Sequence, residues 1–496
     1  MRPDRRAFLR DASLAALAAA GLPRDLVARA TRPLILGAAP VRVRGRVHLR
    51  GRGLAGVGVS DGLQVVRTAA DGRYELVTTS DRQWVTCHVP AAAALPLTPT
   101  GMLGGHVALQ PDPRGEQRAD FALDPVARDE REHAFLLIAD PQTQNAFEMG
   151  RFLAETMPDA AATVQGLGGR AAFGVACGDI MYDDLALYPD YERGARATGL
   201  PFVSVVGNHD LDLKAASTFE ASFRTFAGRY GPAWRAFDRG EVHYVVLNDV
   251  FWHGNGYIGY VTDEQLQWLA ADLAGVERGR TVVVLLHIPL LSTRPERSGE
   301  TYGLASERVQ NRAALHRLLE PYRAHVLAGH THEHEHVFDG GVHEHIHATA
   351  CGAWWSGHIC WDGSPNGYGV YEVSGGDVRW RLKGTGLDAG RRAALHAVGS
   401  DPTAPEEFVA NVWDWDPQWR VTWFENGERR GPMARRRGKD PRAVAEQTGP
   451  QKPPRRSWVE PMPTDHLFYA RPTTPGAAIT VEITDRWGKV FVERMG

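Results

Sequence analysis

Cysteine is scarce in this sequence, with four residues, Cys87, Cys177, Cys351 and Cys360, among 496. So few thiols exclude a disulfide-stapled scaffold, and none of them belongs to a CxxC metal-binding pair. Cys177 lies in an apolar run and is interpreted as a small buried hydrophobic residue. Cys351 and Cys360 are close enough in sequence to form a disulfide, and the sequence leaves that pairing open.

The sequence also lacks a strong charge bias and, after its first residues, any long hydrophobic run. The formal net charge is −3, and no basic field indicates a nucleic-acid-binding surface. No segment after residue 30 is long and apolar enough for a transmembrane helix. Hydrophobic residues make up 43% and charged residues 23%, as in soluble globular proteins. A chain of 496 residues exceeds one ordinary core, so we expect about two to three domains.

Residues 1–30 differ in character from the rest of the chain. Arg5 and Arg6 precede an alanine-rich apolar segment from Ala12 to Leu22, which is too short to span a bilayer as a stable helix. Paired arginines before such a segment match a twin-arginine export signal. We therefore predict that residues 1–30 are a signal peptide and that the mature protein is periplasmic or secreted.

Changes in composition predict three domains after the signal. From 41 to 124, alternating Val and Arg residues with frequent Gly turns indicate a β-sandwich of the immunoglobulin-like or carboxypeptidase-regulatory kind. From 132 to 374, long apolar runs alternate with helical patterns, which is typical of an α/β domain with strands buried on both faces. Residues 377–496 show little helical periodicity and are predicted to be β-rich. Their two basic stretches, RRRGKDPR and PQKPPRRS, are interpreted as solvated linkers, with contact to a phosphate-rich partner as the alternative.

Five apolar runs in the α/β domain carry Asp, Asn or His at or near their ends. These polar residues are Asp140 with Gln142, Asp179, Asn208 with His209 and Asp210, His287, and His330 with His332. In layered α/β sheets ligands gather at the carboxyl ends of the strands, so we expect these side chains to converge. Carboxylates, amide oxygens and imidazoles together suit Mn, Fe or Zn. They are too many for one tetrahedral site and fit two ions about 3.5–4 Å apart that share a carboxylate.

The motifs at these positions are D-x-Q, GD, GNHD, H and GHTH, in that order. Together they resemble the calcineurin-like metallophosphoesterase superfamily over 132–374. The flanking regions resemble the N-terminal and C-terminal domains of a bacterial branch of that superfamily. The resemblance implies an α/β fold with a central four-layer sandwich, flanked by the β-sandwich and by the β-rich C-terminal domain.

The resemblance also implies a role for each site residue. Asp140 and His332 would hold the first metal, and Asp179 would bridge to the second. The second site would be completed by Asn208, His287 and His330. His209 would lie near the scissile bond, where it would protonate the leaving oxygen or stabilise charge on the phosphoryl group. Asp210 would orient the imidazole of His209.

The first motif departs from the pattern of most relatives. Gln142 stands where most of them have histidine, and a glutamine oxygen is a weaker ligand than imidazole. Tyr182 follows Asp179 by three residues, a spacing that resembles purple acid phosphatases, in which the tyrosine binds ferric iron. Tyr182 as a ligand and Tyr182 as a packed or surface residue both stay open. The two divalent or trivalent ions are therefore assigned only as Mn, Fe or Zn.

Further histidines and tryptophans follow the last motif. His334, His336, His343, His345 and His347 alternate with other residues and are interpreted as mostly surface or edge-strand residues, of which at most one or two line the cleft. Trp354 and Trp355 are interpreted either as a wall of the substrate site or as residues packed between domains.

These patterns predict an exported phosphoesterase with a dinuclear metal site. Direct attack of a metal-bound hydroxide would hydrolyse phosphate monoesters or diesters, because two cations lower the pKa of a shared water. No serine or cysteine nucleophile is required. The expected substrate is a small-molecule or cell-envelope phosphate ester. The alternative is a non-catalytic metal- or phosphate-binding protein at the cell surface that keeps a phosphoesterase scaffold. The sequence does not indicate an oligomeric state.

Overall fold

The computed structural model describes residues 39–110, 115–214, 216–299, 304–450, 452 and 455–495. The signal peptide predicted at residues 1–30 lies outside this part of the chain and stays a prediction. No helix within the described ranges has both the length and the apolar character needed to cross a membrane.

Two β-sheets form the N-terminal region. In the strand Pro40–Leu49, the valines at 41 and 43 are buried and the arginines at 42 and 44 are exposed, because successive side chains of a strand point to opposite faces. One sheet contains Arg52–Gly53, Pro40–Leu49, Arg73–Thr79, Glu116–Arg118 and Phe121–Leu123, and the other contains Val65–Arg67, Gly58–Ser60, Trp84–Cys87 and His106–Ala108. The predicted β-rich N-terminal region is confirmed.

Two larger sheets form the central region. The first has the order Phe202–Val205, Ala171–Cys177, Glu132–Ile138, Gly367–Ser374 and Asp377–Gly384. The second has the order Arg235–Arg239, Val242–Val246, Thr281–Leu285, Arg323–Ala328, Val342–Ile346 and Glu335–Asp339. Within each sheet, the strands that precede the predicted ligands are parallel to one another, so their carboxyl ends lie at one edge. A separate hairpin pairs Val250–Trp252 with Tyr257–Gly259.

Helices cover the outer faces of these sheets. Alternate residues of Glu132–Ile138 divide between two cores: Leu136 and Ile138 pack in the core that contains helical residues, and Phe135 and Leu137 pack in the core between the sheets. Among the described residues, the α-helices of the central region are Ala146–Arg151, Met157–Gly166, Tyr188–Ala197, Phe219–Ser222, Arg224–Tyr230, Asp263–Leu273, Arg294–Ser298, Leu304–Glu307 and Arg312–Leu319, and the C-terminal region contributes Pro441–Thr448. A π-helical segment spans Phe152–Thr156, and 3-10 turns span Leu185–Leu187 and Asn208–Asp210. The predicted α/β sandwich is confirmed.

Two four-stranded sheets form the C-terminal region. One contains Ala393–His396, Phe408–Val412, Pro463–Ala470 and Ala434–Lys439, and the other contains Glu428–Pro432, Arg420–Glu425, Ile479–Thr484 and Val490–Arg494. The predicted boundary between 374 and 377 falls in the turn of a hairpin, where Ser374 pairs with Asp377. The strand Asp377–Gly384 is therefore an edge strand of the first central sheet.

Three interpretations of single segments can be compared with the structure. All four cysteines are buried free thiols, so Cys351 and Cys360 do not pair, whereas the buried position of Cys177 is as predicted. The stretch RRRGKDPR is not a linker, because it contributes to the strand Ala434–Lys439 and to the helix after it. Its side chains are ordered by ion pairs, such as that of Arg437 with Asp465 at 2.9 Å.

The histidines after GHTH are not surface residues. The exposed fractions of His334, His343, His345 and His347 are 3%, 7%, 0% and 2%. Tyr371 and Trp380 of the first central sheet cover His343, His345 and His347, whereas the strand that carries His336, Glu335–Asp339, is the edge strand of the second central sheet. The prediction that most of these histidines lie at the surface was wrong. Histidines that alternate with other residues along a strand share one face, and in this protein that polar face is buried.

A buried group of histidines and carboxylates joins the N-terminal region to the central region. Nδ1 of His243 lies 2.9 Å from Oδ1 of Asp238, and its Nε2 lies 2.8 Å from Oδ2 of Asp272. Nδ1 of His88, in the N-terminal region, lies 2.7 Å from the other oxygen of Asp272. Burial alone would lower the pKa of His243, but the two carboxylates raise it to about 9. His243 is therefore a buried cation at neutral pH.

The protein should lose stability as the pH rises through the pKa of His243. A group whose pKa is raised on folding stabilises the fold fully below its unfolded value and loses that contribution as the pH passes its folded value. We expect the free energy of unfolding in urea to fall by up to about 3 kcal/mol between pH 6.5 and 9 on account of this group. His243→Gln should remove that part of the decline, and His48→Gln should not. Parallel profiles for wild type and His243→Gln would contradict the charge assigned to His243.

Candidate metal centre

The predicted ligands converge where the parallel strands end. Asp140 and Gln142 follow Glu132–Ile138, Asp179 follows Ala171–Cys177, Asn208 follows Phe202–Val205, His287 follows Thr281–Leu285, and His330 and His332 follow Arg323–Ala328. Each makes a direct contact with another member of the set. The convergence expected from strand ends is therefore present, although the roles assigned to single ligands stay predictions.

Asp140 lies between the two histidines of GHTH. Its carboxylate accepts the backbone N–H of His330, at 3.1 Å to each oxygen, and its Oδ1 lies 3.6 Å from Nε2 of His332. The other ring nitrogen of His332 donates to the carbonyl oxygen of Gly352 at 2.6 Å. This hydrogen bond places the proton on Nδ1, so Nε2 has the lone pair that a metal ion needs.

Asp179 lies at the other half of the centre. Its Oδ1 is 3.3 Å from Nε2 of His287, and Oδ1 of Asn208 is 3.1 Å from the same nitrogen. Nδ1 of His287 donates to the carbonyl oxygen of Cys177 at 3.0 Å, which again leaves Nε2 available. One ligand atom each from Asp179, His287 and His330 lies within 4.8 Å of the others.

The donor set fits a pair of cations. Nε2 of His330 is buried and has no hydrogen-bond partner among the described residues. The carboxylates of Asp140 and Asp179 are 0% and 1% exposed, and the ion pairs found for them in the described part of the chain are with histidines. A buried carboxylate without a strong counter-charge is costly. Metal ions would satisfy both the free imidazole nitrogen and the buried negative charge.

The pKa values report the same negative environment. Burial opposes the charged form of His287, but Asp179 raises its pKa to about 10. Burial raises the pKa of Asp140 to about 8, and the charge of Asp179 acts in the same direction. The pKa of Asp179 is lowered despite its burial, because His287 and His209 favour the carboxylate. Positive charge is therefore stabilised between these groups.

Five of the predicted ligands have left-handed backbone conformations. The φ angles are 45° for Asp140, 42° for Gln142, 45° for Asp179, 71° for His330 and 55° for His332. Such conformations cost on the order of 1–3 kcal/mol each in residues other than glycine and are concentrated at functional sites. The surrounding structure therefore holds these side chains in positions that the isolated loops would not adopt.

Two glycines allow the loops to approach one another. A Cβ atom on Gly207 would lie 1.8 Å from the backbone nitrogen of Asp179, and one on Gly329 would lie 2.3 Å from Oδ2 of Asp140. Both distances are far below van der Waals contact. The glycines of GNHD and GHTH are therefore required by the close packing of the loops.

His209 is oriented by a residue that sequence reasoning did not single out. Its Nδ1 lies 2.8 Å from Oδ1 of Asp183, and its ring stacks on Tyr182 with 4.1 Å between centroids. Burial alone would lower the pKa of His209, but Asp179 and Asp183 raise it on balance. Asp183 lies in the quoted stretch GDIMYDD, so its closeness to Asp179 was the available signal.

The role predicted for Asp210 needs correction. Its carboxylate accepts backbone N–H groups from Ile180 and Gly207, each at 3.0 Å, and the hydroxyl of Tyr188 at 3.0 Å. These contacts tie the GNHD loop to the loop that carries Asp179. Asp210 therefore holds the loops together, and Asp183 takes the part of orienting His209.

Asp249 is a second carboxylate that the sequence interpretation omitted. It is fully buried and accepts the backbone N–H groups of His287 and Ile288 at 3.1 and 3.0 Å. This fixes the loop that carries His287. Asp249 also follows a buried strand, Val242–Val246, so the strand-end pattern could have identified it.

Gln142 and Tyr182 both lie at the centre. The side-chain amide of Gln142 donates to Oδ2 of Asp179 at 3.0 Å, and its oxygen lies 3.6 Å from the Sγ atom of Cys351. The ring of Tyr182 packs against His209 and against the guanidinium of Arg456. Whether either residue is a metal ligand stays a prediction.

A segment of the C-terminal region borders the centre, which the sequence did not predict. The guanidinium of Arg456 lies 4.7 Å from the ring of Tyr182 and donates to Oε1 of Gln144 at 2.9 Å. Trp458 is half-exposed and lies 4.5 Å from the ring of Trp354, which stacks on His332 at 4.0 Å. Trp354 thus lies between His332 and Trp458 at the border of the centre, whereas Trp355 is buried and donates to the carbonyl oxygen of Pro141. The stretch PQKPPRRS is not a solvated linker at Arg456.

Three family models match consecutive parts of this chain. The model for the calcineurin-like phosphoesterase matches residues 134–334, and those for its N-terminal and C-terminal domains match 41–126 and 344–491. The chain belongs to the calcineurin-like phosphoesterase family. The family implies two metal ions, in agreement with the donor set.

Curated relatives are similar over part of their length. An uncharacterized protein of Mycobacterium tuberculosis is 26% identical over 189 residues, which are 33% of this chain and 34% of that protein. Purple acid phosphatase 22 of Arabidopsis thaliana is 30% identical over 171 residues, 32% of this chain and 37% of the relative. The chain thus spans about a third of the length of these relatives. A dimetal phosphatase from Danio rerio has a TM-score of 0.33 and 15% identity, and the match covers 51% of this chain and 96% of that one.

Metal retention should distinguish a ligand from a neighbouring residue. Asp179 contacts His287 within the buried donor set, so Asp179→Asn should release at least one ion. His209→Ala should retain the metal content of the wild type, because the side chain of His209 is oriented towards Asp183. Metal per chain can be measured by plasma mass spectrometry after dialysis. Equal losses in the two variants would contradict this assignment.

Proposed function

We propose that this chain is a metal-dependent phosphoric ester hydrolase that cleaves phosphate monoesters or diesters. The observation that carries the proposal is the convergence of two buried carboxylates, Asp140 and Asp179, with three histidines, of which His330 has a buried Nε2 without a hydrogen-bond partner among the described residues. A fourth histidine, His209, lies beside them and is oriented by Asp183. Family membership supports the same reaction class. The substrate belongs to the small-molecule or cell-envelope phosphate esters.

The chain provides a place for each part of the reaction. One ion would be held by Asp140 and His332. The other ion would be held by Asn208, His287 and His330, and Asp179 would contribute to both sites. When bound, two such ions lower the pKa of a shared water and offset charge on the phosphoryl oxygens. Mn, Fe and Zn suit this mixture of carboxylate, amide and imidazole donors.

His209 is the group that would act on the departing oxygen. Its Nδ1 is held by Asp183, so Nε2 is the nitrogen that can carry a proton to the leaving group. The stacked ring of Tyr182 restricts the imidazole to one orientation. A proton transfer of this kind needs a positioned donor, and the two contacts supply the position.

The aromatic wall would receive the leaving group. Trp458 presents a half-exposed ring beside Trp354, and Trp354 covers His332. Flat apolar surface next to a metal centre favours esters with an aromatic or otherwise planar alcohol. The C-terminal region would thereby contribute to substrate choice.

Export is part of the proposal and is supported by the sequence alone. Arg5 and Arg6 before the apolar segment match a twin-arginine signal, a route that carries folded proteins with their metals. The protein would then act in the periplasm or outside the cell. Recovery of the full chain only from the cytoplasmic fraction of its host would contradict this part.

Turnover of para-nitrophenyl phosphate and of its bis-ester tests the hydrolase. The metal-loaded wild type should hydrolyse at least one of them. Asp183→Asn should lower kcat by about 10- to 100-fold at unchanged metal content, because His209 loses its charged partner. Asp184→Asn is the matched control, since Asp184 caps a 3-10 turn and should leave kcat unchanged.

Two outcomes would oppose the proposal in different ways. Full metal occupancy without turnover of either ester would favour the non-catalytic metal- or phosphate-binding protein. Turnover that is equal in wild type and Asp183→Asn would keep the hydrolase and remove the role given to Asp183 and His209.

The aromatic wall makes a separate prediction about substrate binding. Trp458→Ala should raise KM for the para-nitrophenyl ester by about 3- to 10-fold with little effect on kcat, because ring stacking is lost. Trp458→Phe should restore most of the affinity. KM for glycerol phosphate, which has no ring, should not change. An equal rise in KM for both substrates would show that Trp458 acts on the fold rather than on the leaving group.

A further inference from the structure

A second group of histidines lies inside the sandwich, away from the strand ends. His325 of Arg323–Ala328 is the register partner of His343 in Val342–Ile346, and His345 two residues later is the partner of His336 in Glu335–Asp339. All four therefore share one face of the second central sheet. That face packs against the first central sheet, where Trp380 lies 4.8 and 4.7 Å from the rings of His343 and His345.

Three of these histidines bring their nitrogens together. One ring nitrogen each from His325, His343 and His345 lies within 4.8 Å of the others. Nδ1 of His325 is 3.0 Å from Nε2 of His345, and the rings of His343 and His345 are 3.8 Å apart at their centroids. A core position of this kind is normally filled by apolar side chains, because buried polar groups cost free energy unless each is paired.

A carboxylate fixes the protons of the cluster. Asp414 of the C-terminal region accepts from Nε2 of His336 at 2.9 Å, so the proton of His336 is on Nε2. Its Nδ1 is then an acceptor and receives the Nε2 proton of His343 at 3.1 Å. This leaves the lone pair of His343 on Nδ1. Histidines that bind metals commonly donate their second ring N–H to a fixed acceptor, and Nδ1 of His336 is such an acceptor for His343.

We infer that His325, His343 and His345 form an additional metal site, separate from the candidate metal centre, for a divalent ion that prefers imidazole ligands. Three imidazoles and one open position are the donor set of many zinc sites, and they also suit copper. His336 and Asp414 orient the cluster without binding the ion. The site is independent of the catalytic proposal, since it shares no residue with it.

A cavity lies beside His325, one of the three proposed ligands. It has a volume of about 230 Å³ and is lined by His325, Trp380 and Arg486 among others. Arg486 pairs with Asp416 at 2.8 Å, and Arg323 at the rim pairs with Asp377 at 3.0 Å, so carboxylates offset both cationic groups. Burial lowers the pKa of His325 to about 4, which keeps this imidazole neutral. The cavity is large enough to hold a water molecule beside His325.

The position of the site suggests a structural effect. The three histidines belong to the second central sheet, and Asp414 connects their cluster to the C-terminal region. Asp414 also accepts the backbone N–H of Leu382 in the first central sheet at 3.0 Å. An ion that binds only the folded chain stabilises it by mass action. Filling this site should therefore raise the melting temperature without affecting turnover.

Metal counting in two backgrounds tests the inference. The full chain, carrying no histidine tag, is stripped with a chelator, loaded with Zn²⁺ or Co²⁺ and dialysed. His325→Gln should contain about one ion fewer per chain than its parent, both in the wild type and in the Asp179→Asn background. The visible absorption spectrum of the Co²⁺-loaded wild type should contain a component from tetrahedral Co²⁺. This component should be absent from the spectrum of Co²⁺-loaded His325→Gln. Comparison within each background separates this site from the catalytic centre.

Three controls make the result decisive. His316→Gln changes a partly buried histidine of the helix Arg312–Leu319, which pairs with Asp339, and should lose no metal. His343→Leu should lose the same ion as His325→Gln, and melting curves in chelator report whether each variant folds. The melting temperature of the wild type should rise with added Zn²⁺, and that of His325→Gln should rise less. Equal metal content in wild type, His325→Gln and folded His343→Leu would overturn the inference. A loss of metal in His316→Gln as large as that in His325→Gln would overturn it as well.

Discussion

Two carboxylates buried beside each other at one edge of a sandwich, Asp140 and Asp179, set the requirements for the rest of this structure. Their negative charge has no place in an apolar core unless positive charge lies between them. The loops that supply histidines to this point adopt left-handed conformations, and glycines permit the loops to touch. Asp210 and Asp249 then bind backbone N–H groups and hold the loops in place. The charges of the site and the hydrogen bonds that hold its loops therefore depend on each other.

The flanking regions are connected to the centre by polar contacts rather than by apolar surface alone. On one side, His88 meets the Asp272 and His243 group. On the other, Asp414 reaches into the histidine cluster, and Arg456 and Trp458 reach the wall of the metal centre. Contacts of this kind specify one relative orientation, because each buried polar atom needs its own partner. The C-terminal region therefore borders both the metal centre and the histidine cluster.

The sequence predicted those residues whose position follows from a local rule. A polar residue at the end of an apolar strand lies at the sheet edge, and this rule located Asp140, Asp179 and His287. It could also have located Asp249. Contacts between distant segments have no such signal, which is why Asp183, Arg456 and the Asp414 contact were missed. The buried histidines were misplaced because alternation of residue types reveals a strand's two faces but not which of them is covered.

The hairpin of Gly367–Ser374 and Asp377–Gly384 has a consequence for how this architecture can be rearranged. Its second strand closes the first central sheet and also leads directly into the C-terminal region. A domain that ended at the turn would lack Asp377–Gly384, and the backbone N–H and C=O groups of Gly367–Ser374 would be unpaired along the sheet edge. Such an exposed edge promotes self-association. Evolutionary shuffling or engineered transplantation of the catalytic unit must therefore carry this ribbon with it.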